Sequence, residues 1–388
     1  MVRVASCFAQ VLNLIDRAAF ARTVREQKAE FAAKGFTCWD QFVAMLFCQM
    51  GSADSLREIC GGLATALGKL VHLGLKTAPK RSTLSYANEH RPWQVYQCVF
   101  YNMLSQCQAL AATRRRKFRF KNKLLLLDST VIDLCLEVFD WARFRRTKGA
   151  IKVHLLLDQQ GCLPCWALVT EGKTADVRAA QNLTFAPGTV VVMDHGYNDY
   201  RLFAAWCQQG VRFVTRMKDN ACYQVVSRES ASVKGAIRAD EYIELTGVGA
   251  QAKCPHLLRR IVVWDEEHQR EIILLTNLLD LAAATVARLY KERWQIELFF
   301  KALKQNLKVK TFVGTSENAV KTQIWTALLA ILLLKFLQMK STWGWSLSNL
   351  AALLRMNLLT YRNLWAWLDD PYGVPIAEPP AQQLTLAI

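Results

Sequence analysis

Two charge-free apolar runs, each stopped by an aspartate, constrain this chain more than any other feature. Leu124 to Leu127 ends at Asp128, and Thr189 to Met193 (TVVVM) ends at Asp194. A strand with one wet face alternates apolar and polar residues. Runs that are apolar at every position suit central strands covered on both faces by helices. Ile151 to Leu157, Cys165 to Thr170 and Val211 to Arg216 read as further strands, the last after a helix near Tyr200 to Gln208. The fold class is therefore α/β. Sites in open α/β sheets collect at the carboxyl ends of strands, where both aspartates are expected. An Asp after a strand also starts turns, so neither residue is evidence of chemistry alone.

Residues 1–112 read as helices. Trp39 to Met50 has apolar residues at helical spacing, and Ser55 with Glu58 makes a capping box for Leu56 to Leu63. After the Ala78-Pro79-Lys80 turn, Ser82 or Thr83 is expected to cap a helix towards His90. Such short helices suit either a helix-turn-helix reader or an ordinary bundle. A basic stretch, Thr113 to Lys123, interleaves Phe118 and Phe120. With Arg143, Arg145, Arg146, Lys148 and Lys152 it suggests a path along phosphates. Residues 220–277 look wholly β, with a hairpin at Arg259–Trp264 and Ile272–Thr276. Helical periodicity returns near Leu279 and lasts to about Trp367, before a proline-containing tail.

The charge balance supports a polyanionic partner: 49 basic residues against 32 acidic give +17 over 388 residues. Apolar residues make up 52%, which excludes a disordered chain. Twelve cysteines without regular spacing read as reduced thiols, and Cys162-x-x-Cys165 lacks the second pair of a zinc site. The apolar stretch Thr322 to Leu334 is too short to span a bilayer and is expected to be a buried helix. Val4 to Ile15 is interrupted by Gln10 and Asn13, which argues against a secretion signal. Neither a Gly-x-Ser-x-Gly elbow nor a P-loop is present.

The third informative segment runs from Tyr290 to Lys304. Read as one helix, it places Tyr290, Arg293, Glu297, Lys301 and Lys304 within about 80° of one another. Leu289, Ile296, Phe299, Phe300, Leu303 and Leu307 form the separate packing face. The polar stripe reads either as a solvated face with i,i+4 pairs or as a carboxylate presented among cations. Taken together, Asp128, Asp194 and Glu297 suggest a two-metal phosphoryl-transfer site, because Mg²⁺ prefers hard oxygen ligands.

These residues resemble the DDE (Asp-Asp-Glu) transposases of bacterial insertion sequences, of the IS-four group. The group's Tyr-x2-Arg-x3-Glu-x6-Lys signature is met by Tyr290, Arg293, Glu297 and Lys304, and Asp-x-Gly-Tyr by Asp194, Gly196 and Tyr197. Asp128 matches the first acid, and the longer gap between the second and third acids matches a β-rich insertion. Lys148 to Asp158 and Glu171 to Asp176 look like the intervening strands. Residues 35–91 look like the N-terminal domain often fused to this type.

The resemblance implies an RNase H-like (retroviral integrase-like) core. The corresponding segments are 1–112 (helical N-terminal domain), 113–219 (first part of the core), 220–277 (β-rich insertion), 278–312 (last core helix) and 313–388 (helical C-terminal region and tail). It implies that Asp128, Asp194 and Glu297 ligate two Mg²⁺ ions, with Mn²⁺ able to substitute. Tyr290, Arg293, Lys301, Lys304, Arg145, Arg146 and Lys148 are assigned to DNA, and Trp294 either stacks on a displaced base or packs its helix. The implied partners are double-stranded DNA of the inverted repeats and target, and a second subunit in a synaptic homodimer. The expected location is cytoplasmic, at the nucleoid and away from membranes, and the expected reaction is cut-and-paste transposition through a hairpin. The alternatives are a catalytically inactive DNA-binding repressor and an RNase H-like nuclease without strand transfer.

Overall fold

The computed structural model describes residues 5–373, apart from 32, 34, 67, 68, 115, 116, 119, 121, 136, 146, 147, 248 and 310. It gives the backbone alone for 143–145, 148 and 231. Its architecture is mixed α/β. The strands are β1 (Leu124–Leu134), β2 (Arg143–Arg145), β3 (Lys148–Asp158), β4 (Leu163–Glu171), β5 (Val190–Met193), β6 (Arg212–Arg216), β7 (Tyr223–Arg228), β8 (Ile237–Leu245), β9 (Leu258–Asp265) and β10 (Arg270–Thr276). They form one ten-stranded sheet in the order β2-β3-β1-β5-β6-β10-β9-β8-β7, with β4 also paired to β3. β5 runs parallel to β1 and β6, and the remaining pairs are antiparallel.

The apolar runs do what their composition requires. Leu124 and Leu126 face one core while Leu125 and Leu127 face the other. Val190 and Val192 are likewise opposed to Val191 and Met193. Successive side chains of a strand point to opposite faces, so burial on both faces leaves no polar position. β1 does not stop at Asp128, as its sequence suggested. It loses its parallel partner after Leu127, which pairs with Met193, but stays paired to β3 as far as Leu134. From that point the strand alternates, with Thr130, Ile132 and Leu134 inward and Val131 and Asp133 outward.

The first core is built around the helix Glu317–Lys340, which packs on Gln94–Ala112 and Cys38–Met50. This helix is longer than its apolar run. By length and composition alone it could cross a membrane, yet 89% of its most apolar window is buried inside the protein. Gln10, which interrupts the first apolar run, joins distant segments. Its Nε2 donates to the Arg362 carbonyl (2.7 Å), and its Oε1 accepts from the Leu364 N–H (2.9 Å).

Ser55 caps the helix Leu56–Ala64 by accepting from the Glu58 N–H (3.2 Å). The helix Arg81–His90 differs from its sequence reading. It starts directly after Pro79, with Lys80 at its N-cap and no side-chain cap bond, so Ser82 and Thr83 lie inside the first turn.

Candidate active site

Asp128 and Asp194 are each the next residue after the Leu127–Met193 parallel pair, so they occupy adjacent strands at one level. Neighbouring strands lie about 4.8 Å apart, which brings two carboxylates together on the carboxyl side of the parallel pairing. Asp128 is half-buried, and its Oδ1 accepts from the Ser129 N–H (2.8 Å). Asp194 leads into a single 3₁₀ turn, His195–Tyr197, and His195 Nδ1 lies 3.1 Å from its carboxylate.

The third acid comes from across the sheet edge. The stretch read as one helix from Tyr290 is two, Ala283–Lys291 and Trp294–Asn306. Between them the hydrogen bonds tighten to the i→i−3 pattern, from the Arg293 N–H to the Tyr290 carbonyl (3.0 Å) and from the Ile296 N–H to the Arg293 carbonyl (3.1 Å). Glu292 pins this turn. Its buried carboxylate accepts from Lys117 Nζ (2.5 Å), Gln159 Nε2 (3.1 Å) and Gln295 Nε2. The turn aims Arg293 at both acids: its guanidinium lies 2.6 Å from Glu297 Oε1 and 3.7 Å from Asp128 Oδ2.

Burial pushes the Asp128 carboxyl up to about 6. The charges of Asp194 and Glu297 add to that rise, while the Ser129 N–H and Arg293 oppose it. A desolvated carboxylate beside two others is a donor set that fits a hard divalent cation in kind. Arg293 lies between Asp128 and Glu297, and among the described residues no three His, Cys, Asp or Glu side chains stand close enough to hold an ion as they are. A cleft of about 390 Å³ opens over Asp128, Ser129, Thr130, Glu297, Lys301 and Lys304, within the size range of small ligand sites.

The residues assigned to DNA fall into three groups. Trp294 and Lys301 are exposed, and Lys304 Nζ donates to the Val131 carbonyl (3.1 Å) at the cleft wall. Tyr290 is buried instead, with Arg293 stacked 5.7 Å from its ring centre and its phenol raised above the usual range by burial. Arg146 and the side chains of Arg145 and Lys148 lie outside the described residues. Parts of the basic path turn inward: Phe118 is buried beneath the Arg288 guanidinium, and Lys152 donates to the Thr174 carbonyl (2.9 Å) and Asp176 (3.3 Å). Lys117 stays exposed but is paired with Glu292.

Sequence reasoning missed Glu292, Asp176 and His154 as parts of this region. Their distant partners leave no local mark: Glu292 meets Lys117 and Gln159, and Asp176 meets Ser129, Lys152 and His154. His154 is wholly buried, with Nε2 3.0 Å from Thr170 Oγ1 and Nδ1 3.5 Å from Asp176. Burial lowers its imidazole from 6.5 to about 4, with Asp176 opposing and Lys152 adding. The unfolded chain therefore takes up a proton that the folded chain refuses between those values. Stability present above pH 6.5 is lost as the pH falls towards 4, by about 3 kcal/mol at most for this group. Unfolding free energies of wild type and His154→Gln, compared at pH 7 and 4.5, should show the wild-type advantage shrinking in acid. An advantage that does not change with pH would mean that His154 is not held neutral.

The Transposase DDE domain family matches residues 119–333, and a domain of unknown function (DUF4372) matches residues 4–76. A chain of Geobacillus stearothermophilus, named as the transposase for insertion sequence element IS5377, is 30% identical over 258 residues, covering 66% of this chain and 67% of that one. In Sinorhizobium fredii (strain NBRC 101917 / NGR234), y4zB is also named as a transposase. It is 30% identical over 283 residues, covering 72% of this chain and 77% of its own. Among solved structures, the piggyBac transposase synaptic complex with hairpin DNA aligns over 95% of this chain and 82% of that one. Its TM-score is 0.43 and its identity 9%, too weak a likeness to carry an argument.

Proposed function

Because the chain belongs to the DDE transposase family of insertion sequences, we propose that it cuts at the terminal inverted repeats of its own element and joins the freed 3′-hydroxyl ends to target DNA. The observation that supports this reading is that Asp128 and Asp194 each follow the Leu127–Met193 parallel pair, while Arg293 bridges Asp128 to Glu297 on the next helix. The parallel β1, β5 and β6, flanked by antiparallel β3 and β4 and covered by helices, support an RNase H-like core at 113–219 and 278–312. Under this reading 220–277 is an insertion, 1–112 a DNA-binding helical domain and 313–388 a helical closing region.

Asp128, Asp194 and Glu297 are the residues that would hold two Mg²⁺ ions, with Mn²⁺ as a substitute. The chemistry such ions would supply when bound is charge neutralisation at the phosphate and activation of the attacking oxygen. The chain's own side chains do the rest. Arg293, fixed over the buried Tyr290, grips the phosphate beside the scissile bond. Lys301 and Lys304 follow the backbone along the cleft, and the exposed indole of Trp294 offers a face on which an unpaired base can stack. Arg145, Arg146 and Lys148 extend the contact to flanking DNA. Two ends must be cut in concert, which calls for a homodimer. An unpaired base at Trp294 suits cut-and-paste through a hairpin, and the work takes place at the nucleoid in the cytoplasm.

The test is an excision assay with the element's own ends and a supercoiled target. Cutting and covalent joining support the reading. Cutting without joining makes the protein a nuclease, and binding without cutting makes it a repressor. Removing the exposed cation in Lys301→Ala should weaken end binding at every sequence tested and lower the slope of log affinity against log salt by about 1. An unchanged slope would take Lys301 off the DNA path.

A further inference from the structure

A fourth carboxylate lies behind the acids on the strands and serves no obvious local purpose. Asp176 is the first residue of the short helix Asp176–Gln181, whose N-cap is Ala175 and which has no side-chain cap bond. An acidic residue there ordinarily does no more than complement the helix end. Its side chain instead reaches three elements. Oδ1 accepts from Ser129 Oγ (2.7 Å) on β1 and from Lys152 Nζ (3.3 Å) on β3, and lies 3.5 Å from His154 Nδ1 on the same strand. Oδ2 faces the turn after β5: a Cβ placed on Gly196 would stand 3.6 Å from it. Tyr197, the next residue, is fully buried beside Asp176 and Ser129, and His154 Nδ1 has no hydrogen-bond partner among the described residues.

These contacts single out the two strands that matter. Ser129 directly follows Asp128, and its N–H is the donor to Asp128 Oδ1 (2.8 Å). Gly196 and Tyr197 belong to the turn that begins at Asp194. We infer that Asp176 is a positioning residue: it fixes the Asp128 carboxylate through Ser129 and the Asp194 carboxylate through the Gly196–Tyr197 turn. The inference rests on the reading that those two acids do the chemistry. Lys152, part-buried and bonded also to the Thr174 carbonyl, holds Asp176 in place. This explains why a cation in a basic cluster points inward and is not left on the surface for DNA.

The physical case is one of tolerance. A reacting group displaced by about 1 Å can lose about a hundredfold in rate, and a strand held only by its ladder lets an acid rotate that far. Removing Asp176 releases the Ser129 hydroxyl and takes away the carboxylate packed against the 3₁₀ turn, so both acids lose a support at once.

The experiment uses the full-length protein in two measurements. In the first, end-DNA cleavage is followed in Mg²⁺ at saturating protein for wild type, Asp176→Ala, Asp176→Asn, Ser129→Ala and the Ser129→Ala/Asp176→Ala double variant. Asp176→Ala should cut about a hundredfold more slowly with unchanged DNA affinity. Asp176→Asn, whose amide oxygen still accepts from Ser129, should recover most of that loss. The double variant should be no worse than Asp176→Ala alone, because groups acting in one chain are not additive. In the second, Mn²⁺ is titrated without DNA, and Asp176→Ala should bind about tenfold more weakly.

Wild-type rates and Mn²⁺ affinity in Asp176→Ala would overturn the inference. So would effects that add to those of Ser129→Ala, or a loss fully matched by a lower unfolding midpoint. If Asp176→Ala does not fold, Ser129→Ala carries the test: it should cut more slowly with unchanged DNA affinity, and wild-type cleavage by it would overturn the inference. Should wild type fail to cut, the transposase reading fails while the Mn²⁺ titration still judges Asp176.

Discussion

Glu297→Gln should lower end cleavage by about a thousandfold or more while leaving end binding nearly intact. The amide has the shape of the carboxylate but neither its charge nor its affinity for a hard cation. Losing one group that stabilises charge at a reaction centre costs about a hundred- to a thousandfold in comparable sites. The fold should tolerate the change. Glu297 is about one-third exposed, and its pairing with Arg293 is the kind of i,i+4 contact worth well under 1 kcal/mol. DNA affinity is expected to hold because Arg293, released from one carboxylate, and Lys301 and Lys304 all remain. Cleavage rates and band-shift affinities, measured on the same preparation, separate the two effects. A Glu297→Gln protein that cuts like wild type would remove Glu297 from the site.

The second large effect lies away from the chemistry. Arg259→Ala should destabilise the protein by about 3–5 kcal/mol, seen as a lower denaturant midpoint. Arg259 on β9 and Asp240 on β8 are both almost wholly buried and meet through two bonds of 2.7 Å, Nε to Oδ1 and Nη2 to Oδ2. The remaining guanidinium nitrogen donates to the carbonyls of Leu278 (3.2 Å) and Leu281 (2.5 Å), just before the helix Ala283–Lys291. Removing the arginine leaves a buried carboxylate without its cation, and desolvation then outweighs any relief of strain. The pair itself adds little net stability, since both charges were taken out of water to form it. Asp240→Leu combined with Arg259→Met should therefore recover most of the loss. If the double variant is as unstable as the single one, the carbonyl contacts and not the ion pair are what matter.

The same pair shows how tertiary structure connects the segments. β8 and β9 belong to the stretch read as an insertion, yet Arg259 ties them to the chain entering the helix that bears Tyr290. Through β10, which pairs with β6, that stretch continues the central sheet. Neither link has a sequence signal: one buried Arg among 49 basic residues looks like any other.

The sequence alone determined the features that depend on residue type and short spacing. Short runs apolar at every position and stopped by an aspartate read as strands buried on both faces, so Leu124–Leu127 and Thr189–Met193 were legible as central strands, while the pairing of Leu127 with Met193 that puts their aspartates at one level is set by the sheet register. Ser55 marked a helix start because its side chain and the Glu58 N–H are neighbours in the chain. The polar signature from Tyr290 to Lys304 was legible for the same reason.

Tertiary structure decided everything that rests on distant partners. It broke the signature helix at Arg293, where Glu292 is held by Lys117 and Gln159 from separate parts of the chain. It buried Tyr290 under Arg293 and turned Lys152 inward to Asp176. It also carried β1 past Asp128 through its pairing with β3. Local composition sets what a residue can do. Which partner it meets is fixed by packing, which brings together groups that no spacing rule relates.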